Sequence, residues 1–349
     1  MNERAVDICM IGAGGIVNDA HLPAYRIAGF NVKGIVDRNH QKAVVLAGKF
    51  NIPKVYDSLD AMVADQDEHV IYDCALPASE IVGVLQELPD AATVLIQKPM
   101  GERIEDARII RDTAHAKNMR AGVNFQLRFA PSVLEAKKMI HNGQIGTLTD
   151  IEIYVNVYTP WDRWSFLFGK PRMEINYHSI HYIDLMRSFL GNPSSIYAKT
   201  FRHPDALQLA SVKSSMIMDY GDLIRATIHT NHHHDFGYQH QKSYIKIEGT
   251  KGAIKMSLGA LINYPHGIPD TFEYITIIPG TVPEWKSKKI EGSWFPHAFI
   301  GTMEQMMLAK KGMIEQPEHH IEDAYDTMRC VEAAYISSEQ GGVSLSSIR

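Results

Sequence analysis

The sequence predicts an α/β protein in two parts. An N-terminal doubly wound parallel sheet of the Rossmann type comes first, then an α/β domain on a large, open, mainly antiparallel sheet. Three observations carry this. The chain has 349 residues, too many for one ordinary core and suited to two. Its first third alternates short, evenly apolar runs with helical periodicity, the pattern of strands buried on both faces. Beyond about residue 124 the strands lengthen and alternate polar with apolar residues, as a sheet with one covered face requires.

In chain order, VDICMIGAGG reads as a strand closing on a turn, AHLPAYRIAG as a helix, NVKGIVDRN as a strand ending in an acid, and QKAVVLAGKFN as a helix. HVIYDCAL and ATVLIQKP are further strands, with helical ASEIVGVLQEL between them. RIEDARIIRDTAHAKN has amphipathic helical spacing, and RAGVNF is one more strand. PSVLEAKKMIHNGQIG is a helix closed by Gly146. TDIEIYVNVYT, SSIYAKTFR, SVKSSMIMDY, DLIRATIHTN, SYIKIEGTKGAIKMS and TFEYITIIP then supply the second sheet. EINYHSIHYIDLMRSFLG is helical, as are the C-terminal stretches PHAFIGTMEQMMLAKKG and IEDAYDTMRCVEAAYISSEQ. The expected division is 1–123 for a nucleotide-binding domain and 124–349 for substrate binding and oligomerisation. An open sheet of this kind is expected to pair in a homodimer or homotetramer.

Composition narrows the function. Apolar residues make up 45% and charged residues 21%, as in soluble globular proteins. A net charge of -5 offers no basic field to a phosphate backbone, so nucleic acid is not an expected partner. No apolar run approaches the roughly 18 residues of a membrane span. The N-terminal apolar stretch leads into a glycine loop instead of a small-residue cleavage site, and reads as a strand, not a secretory signal. Cys9, Cys74 and Cys330 are far apart in apolar surroundings, and read as reduced core residues of a cytoplasmic protein.

The chemistry begins at GAGGIV. Gly12 permits a tight turn, Gly14 lets the backbone approach a pyrophosphate, and Gly15 and Ile16 open the helix whose N-terminus would face it. Val17 stands where the usual fingerprint has a third glycine. Asp37 ends the second strand, where a carboxylate accepts from ribose hydroxyls. The expected cofactor is NAD, since Asp37 repels a 2'-phosphate. Arg38 beside it keeps NADP possible. Lys98 falls at the C-terminal end of the TVLIQ strand, where ligands bind in open parallel sheets, and Pro99 restrains it. A cation there orients a substrate hydroxyl and lowers the pKa of a neighbouring acid or base.

Taken in order, GAGGIV, Asp37, QKPMG, NFQLRFAP, HYIDLMRSFLG and IEGTKGAIKMS resemble the glucose–fructose oxidoreductase, inositol dehydrogenase and rhizopine-catabolism (Gfo/Idh/MocA) family over essentially the whole chain. The resemblance implies NAD(P)-dependent oxidation or reduction of a sugar, polyol or related compound, with Lys98 as catalytic lysine. It places the family's catalytic histidine at His181. It also exposes departures: Tyr177 stands at the family's aspartate position, Gln97 where Glu-Lys-Pro is common, and Glu80 where histidine is frequent.

On the helix itself, Tyr177, His181 and Asp184 share one face, and Glu174, His178 and His181 an overlapping one. His181 suits proton transfer near neutrality, with Tyr177 assisting and His178 holding a substrate hydroxyl. The helical spacing also matches metal ligands, but hydride transfer needs none, and no metal is expected. Asn124 and Arg128 follow the last parallel strand near the expected cleft; Trp161, Arg163 and Trp164 lie in a loop suited to sugar recognition or to an interface. HTNHHHD reads as a strand end or loop at the sheet edge, and His297 as a residue that can line the cleft. The expected function is an NAD-preferring dehydrogenase of a sugar, sugar derivative or cyclic polyol. Two alternatives stand beside it: a catalytically inactive NAD-binding regulator, favoured by Tyr177, and a reductase of a non-sugar carbonyl or diol.

Overall fold

The computed structural model describes residues 6–347, so the first five residues lie outside the described ones. The chain forms two compact units, Met1–Ala130 with Trp294–Met328, and Pro131–Ser293 with Arg329–Arg349.

The first unit holds six strands: β1 (Asp7–Ile11), β2 (Val32–Val36), β3 (Lys54–Tyr56), β4 (Val70–Cys74), β5 (Thr93–Ile96) and β6 (Arg120–Val123). They lie in the order 3-2-1-4-5-6, every neighbouring pair parallel. This is the Rossmann order, and it puts the switch point between β1 and β4. Helices α1 (Leu22–Ala28), α2 (His40–Phe50), α3 (Leu59–Ala64), α4 (Ile81–Glu87) and α5 (Ile104–Ala116) alternate with the strands. Strands β4 and β5 are buried at every residue, as an apolar run covered on both faces requires. A π-helical turn, Val17–His21, precedes α1. Asn39 caps α2, accepting from the Lys42 N–H at 3.3 Å.

In the second unit α6 (Pro131–His141) leads into β7 (Leu148–Asn156), and a second π turn, Ile175–Ser179, leads into α7 (Ile180–Leu190). The remaining strands are β8 (Ser195–Phe201), β9 (Lys213–Asp219), β10 (Arg225–Asn231), β11 (Lys242–Gly249), β12 (Gly252–Ser257), β13 (Phe272–Thr276) and β14 (Lys286–Ser287). The eight-stranded order is 14-13-12-11-7-10-9-8, antiparallel except where β10 runs parallel to β7. The alternation seen in the sequence is the burial pattern: Ile151, Ile153 and Val155 are enclosed while Glu152 and Tyr154 are half-buried.

Two further helices, α8 (Ala298–Lys310) and α9 (Ile321–Gln340), follow. The expected division assigned everything after residue 124 to the second domain, whereas Trp294–Met328 belongs to the first unit. The cause is packing: Phe299, Met303 and Met306 of α8 join Ile8, Met10, Ile35, Ile71 and Leu95 in one core. β3, α3 and β14 were not foreseen; each is too short to show a period.

Candidate functional site

In the first unit, the chemistry-bearing residues gather at the C-terminal ends of the parallel strands. Gly12 follows β1 at φ 109°, and a Cβ there would stand 2.5 Å from the Ala75 carbonyl oxygen, so only glycine makes this turn. A Cβ on Gly14 or Gly15 would meet nothing within 4 Å. Asp37, just past β2, accepts from the Ala13 N–H at 2.6 Å and the Asn39 N–H at 2.7 Å. Ala13, Gly14, Gly15, Asn18, Asn39 and Lys42 border a depression of about 450 Å³. The residues fit a dinucleotide. The open space above Gly14 and Gly15 admits a pyrophosphate beside a helix N-terminus, and each Asp37 oxygen keeps a lone pair for ribose. The Arg38 guanidinium is exposed and pairs with Glu80 at 2.5 Å.

Lys98 follows β5 by two residues. Burial holds its ammonium down from lysine's ordinary 10.5 to about 7. Its backbone N–H donates to the Gln97 side-chain oxygen at 2.8 Å. The Gln97 amide nitrogen lies 3.3 Å from His21 Nε2, and His21 Nδ1 lies 2.7 Å from Asp73 Oδ2. The Tyr25 hydroxyl donates to the same Asp73 oxygen at 2.5 Å. Burial, then the neighbouring Asp73, pushes the Tyr25 phenol well up.

Asn124 was expected to face substrate. It is fully buried, its amide nitrogen 3.3 Å from His21 Nε2, and its oxygen accepts from Thr302 at 3.0 Å. Arg128 is buried as well; it pairs with Asp323 at 2.5 Å and donates to the Glu318 carbonyl at 2.9 Å. The turn after β6 points both inward.

In the second unit, α7 is enclosed from Ile180 to Arg187, polar positions included, so His181 and Asp184 are buried and not on an exposed stripe. Phe189 and Leu190, at the end of α7, are half-buried. Tyr177 lies 5.9 Å from the Phe166 ring, with Lys170 Nζ 5.6 Å from its centroid. Trp161 and His178 do come together, ring centroids 5.2 Å apart, and His232 joins them at 4.5 Å from His178. Trp164 packs on Tyr264 at 5.5 Å, and Arg163 lies 5.9 Å from the same ring.

The histidine tract ends β10, an interior strand and not the sheet edge, and His232 is buried against Glu174 at 3.5 Å. Glu174 Oε1 also accepts from Ser179 at 2.7 Å and from Thr230 at 2.8 Å. Ser179 is five residues along, the π-helical spacing, so the π turn sets this contact. Burial alone would raise the Glu174 carboxyl; the bond and charge of His232, with the hydroxyl donors, hold it below its ordinary value. Among the described residues no cluster of His, Cys, Asp and Glu could hold a metal ion. Sequence reasoning missed the His21–Asp73–Gln97 and Glu174–His232 groups. The one local signal was a carboxylate placed inside an apolar run, as in MEINYHSI and IYDCA.

Known proteins resemble both halves of the chain. The family profile "Oxidoreductase family, NAD-binding Rossmann fold" matches residues 6–125. The GFO/IDH/MocA C-terminal domain profile matches residues 133–255. Glucose-6-phosphate 3-dehydrogenase of Bacillus subtilis (strain 168) is 30% identical over 148 residues, 42% of this chain. The chain thus aligns with 41% of that enzyme's length. An oxidoreductase from Agrobacterium radiobacter, solved in complex with NAD+, L-tartaric acid and magnesium, superimposes with a TM-score of 0.80 at 18% identity, over 97% of this chain and 98% of that one. The WlbA dehydrogenase from Bordetella pertussis, in complex with NADH and UDP-GlcNAcA, gives 0.74 at 18% identity, over 98% of each chain. These structural likenesses establish the fold. Among the described residues no helix is long and apolar enough to cross a membrane.

Proposed function

The chain belongs to the Gfo/Idh/MocA oxidoreductase family and carries its NAD-binding Rossmann domain, and on that premise we propose that it is an NAD-preferring dehydrogenase acting on the CH–OH group of a sugar, sugar derivative or cyclic polyol. The observation that carries this is Lys98. It stands just past the C-terminal end of β5, on the ligand-binding side of the sheet, with an ammonium that burial has brought to about 7. Bound NAD supplies the hydride acceptor. Lys98 orients the substrate oxygen and stabilises its developing negative charge. His181 takes the hydroxyl proton. His178, Trp161, Trp164 and Arg163 hold the ring and hydroxyls of the substrate, a task suited to aromatic faces with hydrogen-bonding neighbours. Asn124 and Arg128, tied to Thr302 and Asp323, are read as supports of the turn after β6. The sugar activity in the name of the Bacillus relative supports this substrate class.

The experiment is a screen of aldoses, polyols and glycosides with NAD, followed by absorbance of the reduced cofactor. On the substrate it finds, Lys98→Ala and His181→Ala should each cut turnover by about 10²–10⁴ while NAD affinity changes little. Near-normal turnover in both single variants would overturn the mechanism. Tyr177→Phe should cost only a few fold, because Tyr177 packs with Phe166 and Lys170. That same packing, at the family's aspartate position, favours a second reading, an NAD-binding regulator. It takes over if no substrate is found and NAD alone alters association with another protein. Turnover only on non-sugar carbonyls or diols would move the substrate class.

A further inference from the structure

Lys98 N–H can only donate, so Gln97 Oε1 must be the acceptor and the Gln97 amide nitrogen must face His21. An N–H group aimed at His21 Nε2 needs a lone pair there. The second amide nitrogen, from Asn124 at 3.3 Å, converges on the same atom. The proton of a neutral His21 is therefore on Nδ1, where it is donated to Asp73 Oδ2 at 2.7 Å. Each link dictates the next: the Asp73 carboxylate, the Nδ1–H tautomer of His21, the Gln97 amide, the fixed backbone N–H of Lys98. Asp73, His21 and Tyr25 are all essentially without exposure, and Asp73 Oδ1 finds no hydrogen-bond partner among the described residues. Burying a carboxylate with one oxygen unsatisfied costs stability, and a methionine or leucine would fill the space more cheaply.

We propose that Asp73 and His21 are positioning residues for Lys98, acting through Gln97, and that residue 97 is an amide because Asp73 already supplies the network's one carboxylate. This rests on reading Lys98 as the orienting cation, but its test uses neither substrate nor turnover. The chain of donors and acceptors runs in one direction and can be reversed. Asp73→Asn presents an N–H to His21 Nδ1, moving the ring proton to Nε2. That N–H then opposes the Gln97 amide, and Gln97 is pushed off the Lys98 N–H. Gln97→Glu does the converse, setting a carboxylate against the Nε2 lone pair. With both changes together, the introduced amide donates to Nδ1, Nε2–H donates to the introduced carboxylate, and the other oxygen of that carboxylate accepts from Lys98. The carboxylate count is unchanged and the network is whole again.

The test reads two quantities. Nitrogen-15 NMR of the imidazoles, with the His21 signals identified by their loss in His21→Asn, gives the tautomer. Competitive acetylation of the intact protein against pH, read by mass spectrometry of the Lys98 peptide, gives the titration midpoint of Lys98. In the wild type His21 should be the Nδ1–H tautomer and Lys98 should titrate near 7. Asp73→Asn and Gln97→Glu should each raise the Lys98 midpoint by about one unit toward lysine's ordinary value, as the loosened side chain meets water. Asp73→Asn/Gln97→Glu should raise the midpoint by less than Gln97→Glu alone, the new carboxylate beside Lys98 keeping it above the wild-type value, with His21 in the Nε2–H form. An additive double variant, or single variants with an unmoved Lys98, would overturn the proposal. An Nε2–H tautomer or an imidazolium in the wild type would overturn it without any variant, should these fail to fold. Failure of the dehydrogenase reading would show instead as undiminished turnover in Lys98→Ala.

Discussion

The proposed preference for NAD over NADP rests on a single carboxylate. Asp37 is held by two backbone N–H groups at the end of β2, so it cannot swing away from an incoming phosphate. Arg38, the residue that could neutralise a 2'-phosphate, is paired with Glu80. NAD should bind more tightly than NADP by about 1–3 kcal/mol, the repulsion and lost hydrogen bonding of a phosphate at a carboxylate. Fluorescence titration of both cofactors checks this, and equal or tighter NADP binding would show that Arg38 governs the choice. Asp37 was legible in the sequence because a strand, a glycine loop and an acid occur at a recognisable spacing. The inward turn of Asn124 was not. Its partners His21 and Thr302 are 103 and 178 residues away, and no local pattern records them.

Helices α1 and α7 each begin after a π turn, and in both cases a buried polar group sits in or beside that turn: His21 in one, Glu174 with Ser179 in the other. A π turn admits one extra residue per turn and rotates the helix beyond it, which is how such turns come to mark functional positions. Glu174 makes the consequence measurable. Its carboxyl is held below the ordinary 4.5, so between the two values the unfolded chain binds more protons than the folded one and stability rises with pH. The stabilisation is fully present above 4.5 and is lost as pH falls through the folded value. Glu174→Gln should therefore destabilise by about 1–3 kcal/mol at pH 7. The gap should narrow under acid, as the wild type loses the same contribution. Thermal midpoints of both proteins from pH 7 down to pH 3 follow this; a gap independent of pH would mean that Glu174 acts by packing alone.

At the scale of the whole molecule, the eight-stranded sheet leaves one face half open. Tyr197 and Ile217, paired across β8 and β9, are 60% and 50% exposed. Further along, Tyr154 and Tyr244 stack at 5.5 Å beside Glu152, Lys246 and Lys255. Apolar and aromatic groups among charges of both signs suit a self-complementary two-fold contact. A homodimer or homotetramer is expected. Light scattering at micromolar concentration should show it, with Ile217→Asp shifting the population toward smaller species. A wild-type monomer would contradict it.

The sequence by itself determined the order of the longer strands and helices, the change from continuous to alternating strands, the glycine loop with Asp37, and the place of Lys98 at a strand end. All of these follow from periodicity or from short spacings along the chain, because a strand or helix exposes its environment every two or every 3.6 residues. Tertiary structure alone decided that α8 completes the first core and that His232 is enclosed with Glu174. It also decided that Asp73, 52 residues from His21, sets the tautomer facing Gln97. Those outcomes depend on which apolar face meets which sheet and on where a buried donor finds its acceptor. Such pairings satisfy hydrogen bonds through space, and the intervening chain carries no trace of them.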